Sequence, residues 1–169
     1  MSTPDPDHHD AGPIWRILNG IPDPEIPVVS VVEMGMIADI RVDDDGVRIA
    51  MTPTFAACPA IDHMRKHMLN AVSNAGYRNV RVDIVFDPPW NTDRITPEGL
   101  EKLRQFGLAI PQRMDGRSVE PRDLHGVRCP YCDATDTTLE SPFGPTLCRS
   151  IHYCNACLQS FEHFKPLSC

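Results

Sequence analysis

No stretch of this chain approaches the roughly 18 to 20 consecutive apolar residues that a bilayer-spanning helix needs, so a helical membrane protein is not expected. There is no glycine-rich nucleotide loop, no nucleophile elbow and no helix-borne Glu-x-x-His pair. Their absence removes the usual sequence signs of phosphate binding, serine-type hydrolysis and di-iron chemistry. Positive charge is also scarce: 16 Lys and Arg face 23 Asp and Glu, a net charge of -7, which speaks against nucleic acid and anionic membranes as partners. Residues 1 to 12 are acidic and proline-containing without an apolar run, so they read as a frayed tail and not as a signal peptide.

What the chain does have is cysteine, seven in 169 residues. Cys129-Pro130-Tyr131-Cys132 and Cys154-Asn155-Ala156-Cys157 are two Cys-x-x-Cys knuckles separated by a segment of hairpin length. Two residues between cysteines let both sulfurs of a tight turn face one ion, and two such turns close a tetrahedron. A zinc ribbon is the leading reading; iron or an iron-sulfur cluster in the same thiolates, or oxidation of each pair, are the alternatives. With no export signal, such cysteine usage suits a reducing cytoplasm better than a disulfide framework. Residues 127 to 169 hold three cationic residues (Arg128, Arg149, Lys165) against four acidic ones (Asp133, Asp136, Glu140, Glu162), which disfavours a nucleic-acid-binding ribbon.

Upstream, the periodicity changes twice. Ile14, Ile17, Leu18 and Ile21 lie at helical spacing until Pro22. Met36, Ala38, Ile40 and Val42 alternate, Asp44-Asp45-Gly46 supplies a turn, and Val47, Ile49 and Met51 alternate again, which predicts an antiparallel hairpin. Pro59 to about Ala75 reads as a helix with core stripe Ile61, Met64, Met68 and Val72. A strand with Val80, Val82, Ile84 and Phe86 inward follows. A last helix begins with Thr96 as cap and Pro97 at its first position and ends near Phe106. The expected fold class is α+β, a small three-stranded sheet with packed helices followed by a zinc ribbon. The expected domains are residues 13–106, a linker over 107–126 with zero net charge, and the ribbon over 127–169.

Several residues could carry chemistry outside the knuckles. Cys58 precedes Pro59 at a strand-to-helix junction, where helix N–H groups would stabilise a thiolate; a small buried residue at a tight junction is the equal alternative. Asp23 and Glu25 bracket Pro24 and could present paired carboxylates, but a structural turn is the better reading because no partner or cleft is visible. His63 and His67 read as a solvated helix face, His8-His9 as a polar tail and Trp90 as a packing anchor. Cys148 and Cys169 are surplus thiols for a four-ligand site, inert or available as spare ligands.

Residues 13 to 106 resemble the iron-sulfur-assembly domain of SufT-like proteins through Asp23-Pro24-Glu25-Ile26-Pro27, Glu33-Met34-Gly35-Met36-Ile37, Thr52-Pro53-Thr54 and Cys58-Pro59. Together with Asp87-Pro88-Pro89-Trp90 and a ribbon bearing Phe143-Gly144, Thr146, Cys148, Cys154, Cys157 and Phe164-Lys165, the chain resembles the PaaD family, accessory members of the phenylacetyl-CoA epoxidase system. Pro145 stands where that pattern has a small hydroxyl residue, and Cys169 comes later than the family's last cysteine, which weakens any role for Cys169. The resemblance implies a non-catalytic factor that helps mature or insert the cluster of the epoxidase's reductase component. Its partners would be that reductase and the oxygenase subunits, with a homodimer left open. Its cofactors would be Zn2+ in the ribbon and a transient iron-sulfur cluster, with Cys58 and Cys148 as candidate cluster or reactive thiols and Asp23 and Glu25 in a family-motif turn. The alternative it leaves is a permanent structural or electron-transfer subunit of the oxygenase.

Overall fold

A computed structural model describes residues 10–55 and 59–167, so His8, His9, Cys58 and Cys169 lie outside the described residues. The chain forms two compact units: residues 10–53 with 59–89, and a second unit that runs essentially from Trp90 onward. The architecture is α+β, with one three-stranded and one four-stranded sheet.

In the first unit the order is α1 (Gly12–Asn19), β1 (Ile37–Asp43), β2 (Gly46–Met51), α2 (Ile61–Asn74) and β3 (Arg81–Ile84). β1 and β2 pair antiparallel across the Asp44-Asp45-Gly46 turn, and β3 pairs parallel to β2. A parallel neighbour requires a crossover, which α2 supplies. Ile14 and Leu18 of α1, and Met64, Met68 and Val72 of α2, are buried as their 3.6-residue periodicity demands. The strict alternation expected in β1 is broken by a register shift between Ile37 and Asp39, so that Ile37 and Ile40 are both buried.

Two local expectations change. α2 begins at Ile61 with Ala60 at its N-cap, so Pro59 lies in the preceding turn and not at the first helical position. Phe86, expected inward, is 55% exposed, because β3 ends at Ile84 and the alternation no longer applies beyond it.

The second unit contains α3 (Pro97–Gln105), β4 (Leu108–Ala109), β5 (Thr137–Ser141), β6 (Arg149–Cys154) and β7 (Ser160–Phe164). Thr96 caps α3 as expected, its Oγ1 accepting from Gly99 N at 3.1 Å. The sheet order is β4-β7-β6-β5, antiparallel except for the parallel β4–β7 pair. Trp90 is fully buried, and its ring meets Phe164 of β7 edge-on at 6.4 Å, so the anchor belongs to this unit.

The boundary expected at residues 106 and 107 therefore falls at Pro89 and Trp90 instead. The segment expected as a linker is structured. β4 pairs with β7, and the Asp93 carboxylate accepts from Met114 N at 2.8 Å and Asp115 N at 2.7 Å. Arg117 donates twice to the buried Asp123 carboxylate, at 2.8 and 2.7 Å. Proline content and zero net charge conceal these partners, because a single side-chain cap leaves no periodic trace in sequence.

Candidate metal centre

The four knuckle cysteines converge in the second unit, their sulfurs all within 4.8 Å of one another. Cys129 and Cys154 are fully buried, Cys157 is half-buried and Cys132 is exposed. Cys129 Sγ lies 3.7 Å from Cys157 Sγ, and Cys132 Sγ 3.5 Å from Cys154 Sγ. Zn–S bonds of about 2.3 Å in a tetrahedron set sulfurs about 3.8 Å apart, so the cage suits one such ion. A cluster would add its own iron and sulfide atoms between the thiolates and spread them. Four protein sulfurs also leave no open coordination position, which is the donor set of a structural site and not of a hydrolytic one.

The two knuckles are copies of one backbone device. Cys129 N donates to Ala134 O at 2.9 Å while Asp133 N donates to Cys129 O at 3.0 Å. Cys154 N donates to Gln159 O at 2.9 Å while Leu158 N donates to Cys154 O at 2.9 Å. The residue after each second cysteine sits in the left-handed region, Asp133 at φ 62 and Leu158 at φ 61. Glycine is the usual occupant of that region and an isoleucine or valine would be strained. No glycine marks either turn, which is why spacing alone does not reveal it. Asn155 ties the second knuckle to β5 and the residue before it: its N donates to Asp136 O at 3.0 Å, and its side-chain amide to Asp136 Oδ1 at 2.9 Å and Thr138 Oγ1 at 3.2 Å.

Ala109, Val127 and Phe161 pack with Cys129 and Cys154 in one buried apolar cluster, the floor of the cage. The thiols are not equivalent. Cys154 is pulled down to about 7, first by the Cys157 backbone N–H and then by that of Ala156, against burial. Burial and the three neighbouring thiols push Cys157 up to about 12. The Ala134 backbone N–H draws Cys132 down, but burial and the Cys154 thiol outweigh it and leave it raised. Without an ion the cage resists full ionisation, so metal uptake must release protons.

Alternation along β6 puts Ser150, His152 and Cys154 on one buried face, a polar column that sequence reasoning missed. Ser150 Oγ lies 2.9 Å from His152 Nε2 and 3.4 Å from His163 Nδ1, and His152 stacks on Phe161 with centroids 5.5 Å apart. Burial lowers His152 to about 4, helped by His125, and lowers His163 to about 3, helped by His152 and Lys165. Both imidazoles are neutral near pH 7. The period-two pattern Ser150-x-His152-x-Cys154 is the signal that could have found it.

The remaining candidates are dispersed. Cys148 is buried, with Sγ 3.0 Å from Thr146 Oγ1, and is not one of the four converging sulfurs. Asp23 Oδ1 accepts from Glu25 N at 2.8 Å and Ile26 N at 2.9 Å, which makes the Asp23-Pro24-Glu25 turn a backbone cap. A second cap follows, in which Ser30 N donates to Glu33 Oε2 at 2.9 Å and Glu33 N to Ser30 Oγ at 3.0 Å. His63 and His67 are exposed on α2. Among the described residues no helix is long and apolar enough to cross a membrane.

Residues 13–84 match the family described as iron-sulfur cluster assembly protein, and residues 114–165 match the PaaD zinc beta ribbon domain. A protein of Escherichia coli (strain K12), named as a component of 1,2-phenylacetyl-CoA epoxidase, is 38% identical over 152 residues, which are 90% of this chain and 90% of that one. A protein of Porphyromonas gingivalis (strain ATCC BAA-308 / W83), named Fe-S protein maturation auxiliary factor, is 37% identical over 92 residues, 53% of this chain and 87% of the other. The crystal structure of a domain of unknown function, DUF59, from Bacillus anthracis superposes with a TM-score of 0.51 at 24% identity. It covers 54% of this chain and 88% of that one, a likeness of fold alone.

Proposed function

Because this chain belongs to the PaaD family, an iron-sulfur assembly domain joined to a zinc beta ribbon, we propose that it is a non-catalytic accessory factor of a phenylacetyl-CoA epoxidase. Its task in this reading is to help mature or insert the iron-sulfur cluster of the reductase component that feeds the oxygenase electrons. The observation that carries the reading is the division of the resemblances. The relative named for Fe-S protein maturation aligns with about half of the chain, whereas the relative named for the epoxidase aligns along 90% of it. The iron-sulfur assembly family matches residues 13–84, within the first unit, which supports assigning assembly to that unit and the epoxidase association to the two units together.

In the second unit Cys129, Cys132, Cys154 and Cys157 would hold one zinc ion. Bound zinc would tie the two knuckles together and offer no vacant position for substrate. The paired left-handed turns orient the sulfurs, and the apolar floor keeps water from the two buried ones. In the first unit the Asp23 and Ser30–Glu33 caps hold the motif turns in fixed shape. Cys58 is the candidate thiol for the cluster or its client, and the cluster is cargo. The work would take place in the cytoplasm, where thiols stay reduced.

A permanent subunit is the second reading, favoured because the E. coli relative is named as part of the epoxidase itself. Reconstitution separates the two. Purified reductase and oxygenase, with the reductase fully loaded with cluster beforehand, should turn over phenylacetyl-CoA at full rate without this protein. Activity that returns only with a stoichiometric amount of this protein would overturn the maturation reading and establish permanent membership of the complex.

A further inference from the structure

The outward face of the first unit's sheet carries a line of arginines. Strand register sets Arg41 opposite Arg48, and Arg48 beside Arg81, one from each strand. All three are exposed. Like charges opposite one another on a sheet are destabilising, and the acidic residues of this face relieve only one of the three. Asp39 and Asp83 fall in another row, on either side of Ala50. Arg41 turns to Asp39, with Nε to Oδ2 at 2.8 Å. Among the described residues neither Arg48 nor Arg81 forms an ion pair.

A hollow of about 290 Å³ opens at this point, lined by Asp45, Gly46, Arg48, Asn79 and Arg81. Its wall is fixed by a close approach of two loops. Gly46 has φ +141, and a Cβ there would stand 2.7 Å from Asn79 Cβ and 2.8 Å from the Arg78 carbonyl oxygen. Asn79, itself in the left-handed region at φ 49, donates its side-chain amide to Asp45 O at 2.8 Å. β3 is the edge of its sheet, so among the described residues its outer backbone groups have no strand partner.

We infer that this hollow is a docking site for an acidic segment of a partner protein, whose side-chain carboxylates engage the Arg48 and Arg81 guanidinium groups. On a chain of net charge -7, Arg48 and Arg81 are a local cationic pair within an otherwise acidic surrounding of Asp43, Asp44, Asp45 and Asp83. Guanidinium groups present paired N–H donors that match a carboxylate. Asp45 in the lining disfavours a compact dianion such as phosphate. It suits an extended peptide, which can place a carboxylate at the arginines and a backbone N–H at Asp45. The open edge of β3 offers such a segment a strand to lie along. This docking surface stands apart from the maturation reading, since it would serve a permanent subunit equally well.

The test is calorimetric titration of the full chain with a capped peptide of alternating Asp and Glu, at low and high salt, beside inorganic phosphate and a capped poly-Lys peptide. The acidic peptide should bind, more weakly at high salt, and Arg48→Ser or Arg81→Ser should each weaken it about tenfold or more. The thermal midpoint of either variant should be unchanged or higher, because a repulsion is removed. Should a Ser variant fail to fold, the Arg48→Lys, Arg81→Lys double variant decides, because it keeps the charge and loses the fork; it must bind more weakly than wild type. No binding of the acidic peptide at low salt overturns the inference. So does equal binding by the variants, or phosphate or poly-Lys binding as tightly as the acidic peptide.

Discussion

The two units are held together by different physics. The first buries a large apolar set, Ile14, Leu18, Ile49, Met51, Met64, Met68 and Val72 among it, and its turns are closed by side-chain caps. In the second, the fully buried Trp90, Leu103 and Phe164 lie in the same unit as four thiols and a Ser150–His152–His163 column. Hydrophobic burial varies little with solution conditions near neutrality. Thiols and imidazoles respond to metal and to pH. The first unit should therefore be a constant platform, and the second conditional on its ion and on the protonation of its interior.

The largest break in that contrast should come from the cage. Cys129→Ser, or removal of metal by a chelator, should release one zinc per chain and unfold the ribbon, because binding free energies of about 10 kcal/mol or more in such small modules are also folding free energy. Far-UV and amide-exchange signals of β1, β2 and α2 should persist. Stoichiometric zinc retained by Cys129→Ser with an intact ribbon would remove the assignment of Cys129 as a ligand.

In the first unit the matching insult is Met68→Ala, which should cost about 2 to 5 kcal/mol through lost burial and the cavity left behind. Denaturant unfolding followed at α2 reads it, with zinc content unchanged.

Acid should act on the second unit next. His152 and His163 have folded values of about 4 and 3, below the ordinary 6.5, so the unfolded chain binds protons first. Their contribution is whole above pH 6.5 and is lost as pH falls from there, towards 4 for His152 and towards 3 for His163. Zinc release runs in the same direction, since protons compete for the sulfurs. His163→Leu should flatten the acid-unfolding profile over that window; an unchanged slope would mean that the column does not titrate with unfolding.

The smallest effect distinguishes a cap from a core. Thr96→Ala should cost about 1 kcal/mol by freeing the Gly99 N–H, measured as a shift in the thermal midpoint of the second unit.

How much can be read from sequence follows the length scale of the cause. Met64, Met68 and Val72 announce α2 by their period, Thr96-Pro97 announces α3, and the Cys-x-x-Cys spacing announces the cage, because each signal is local and repeated. The division at Trp90 is not legible, since it depends on Phe164, far along the chain. The order in residues 107–126 is hidden for the same reason: Asp93 and β7 supply partners that composition does not display. Asp133 and Leu158 conceal their left-handed turns by not being glycine. The row Arg41, Arg48 and Arg81 emerges only from the register of three strands. The Asp23 motif reads as a structural turn, and its carboxylate is occupied in capping.

One measurement bears most directly on the proposed role in maturation. The reductase component should be isolated anaerobically from cells with and without this protein, and its iron and acid-labile sulfide determined per chain. Maturation predicts a reductase present in normal amount but poor in both iron and sulfide when this protein is missing. A reductase carrying its full complement of iron and sulfide in those cells would contradict it.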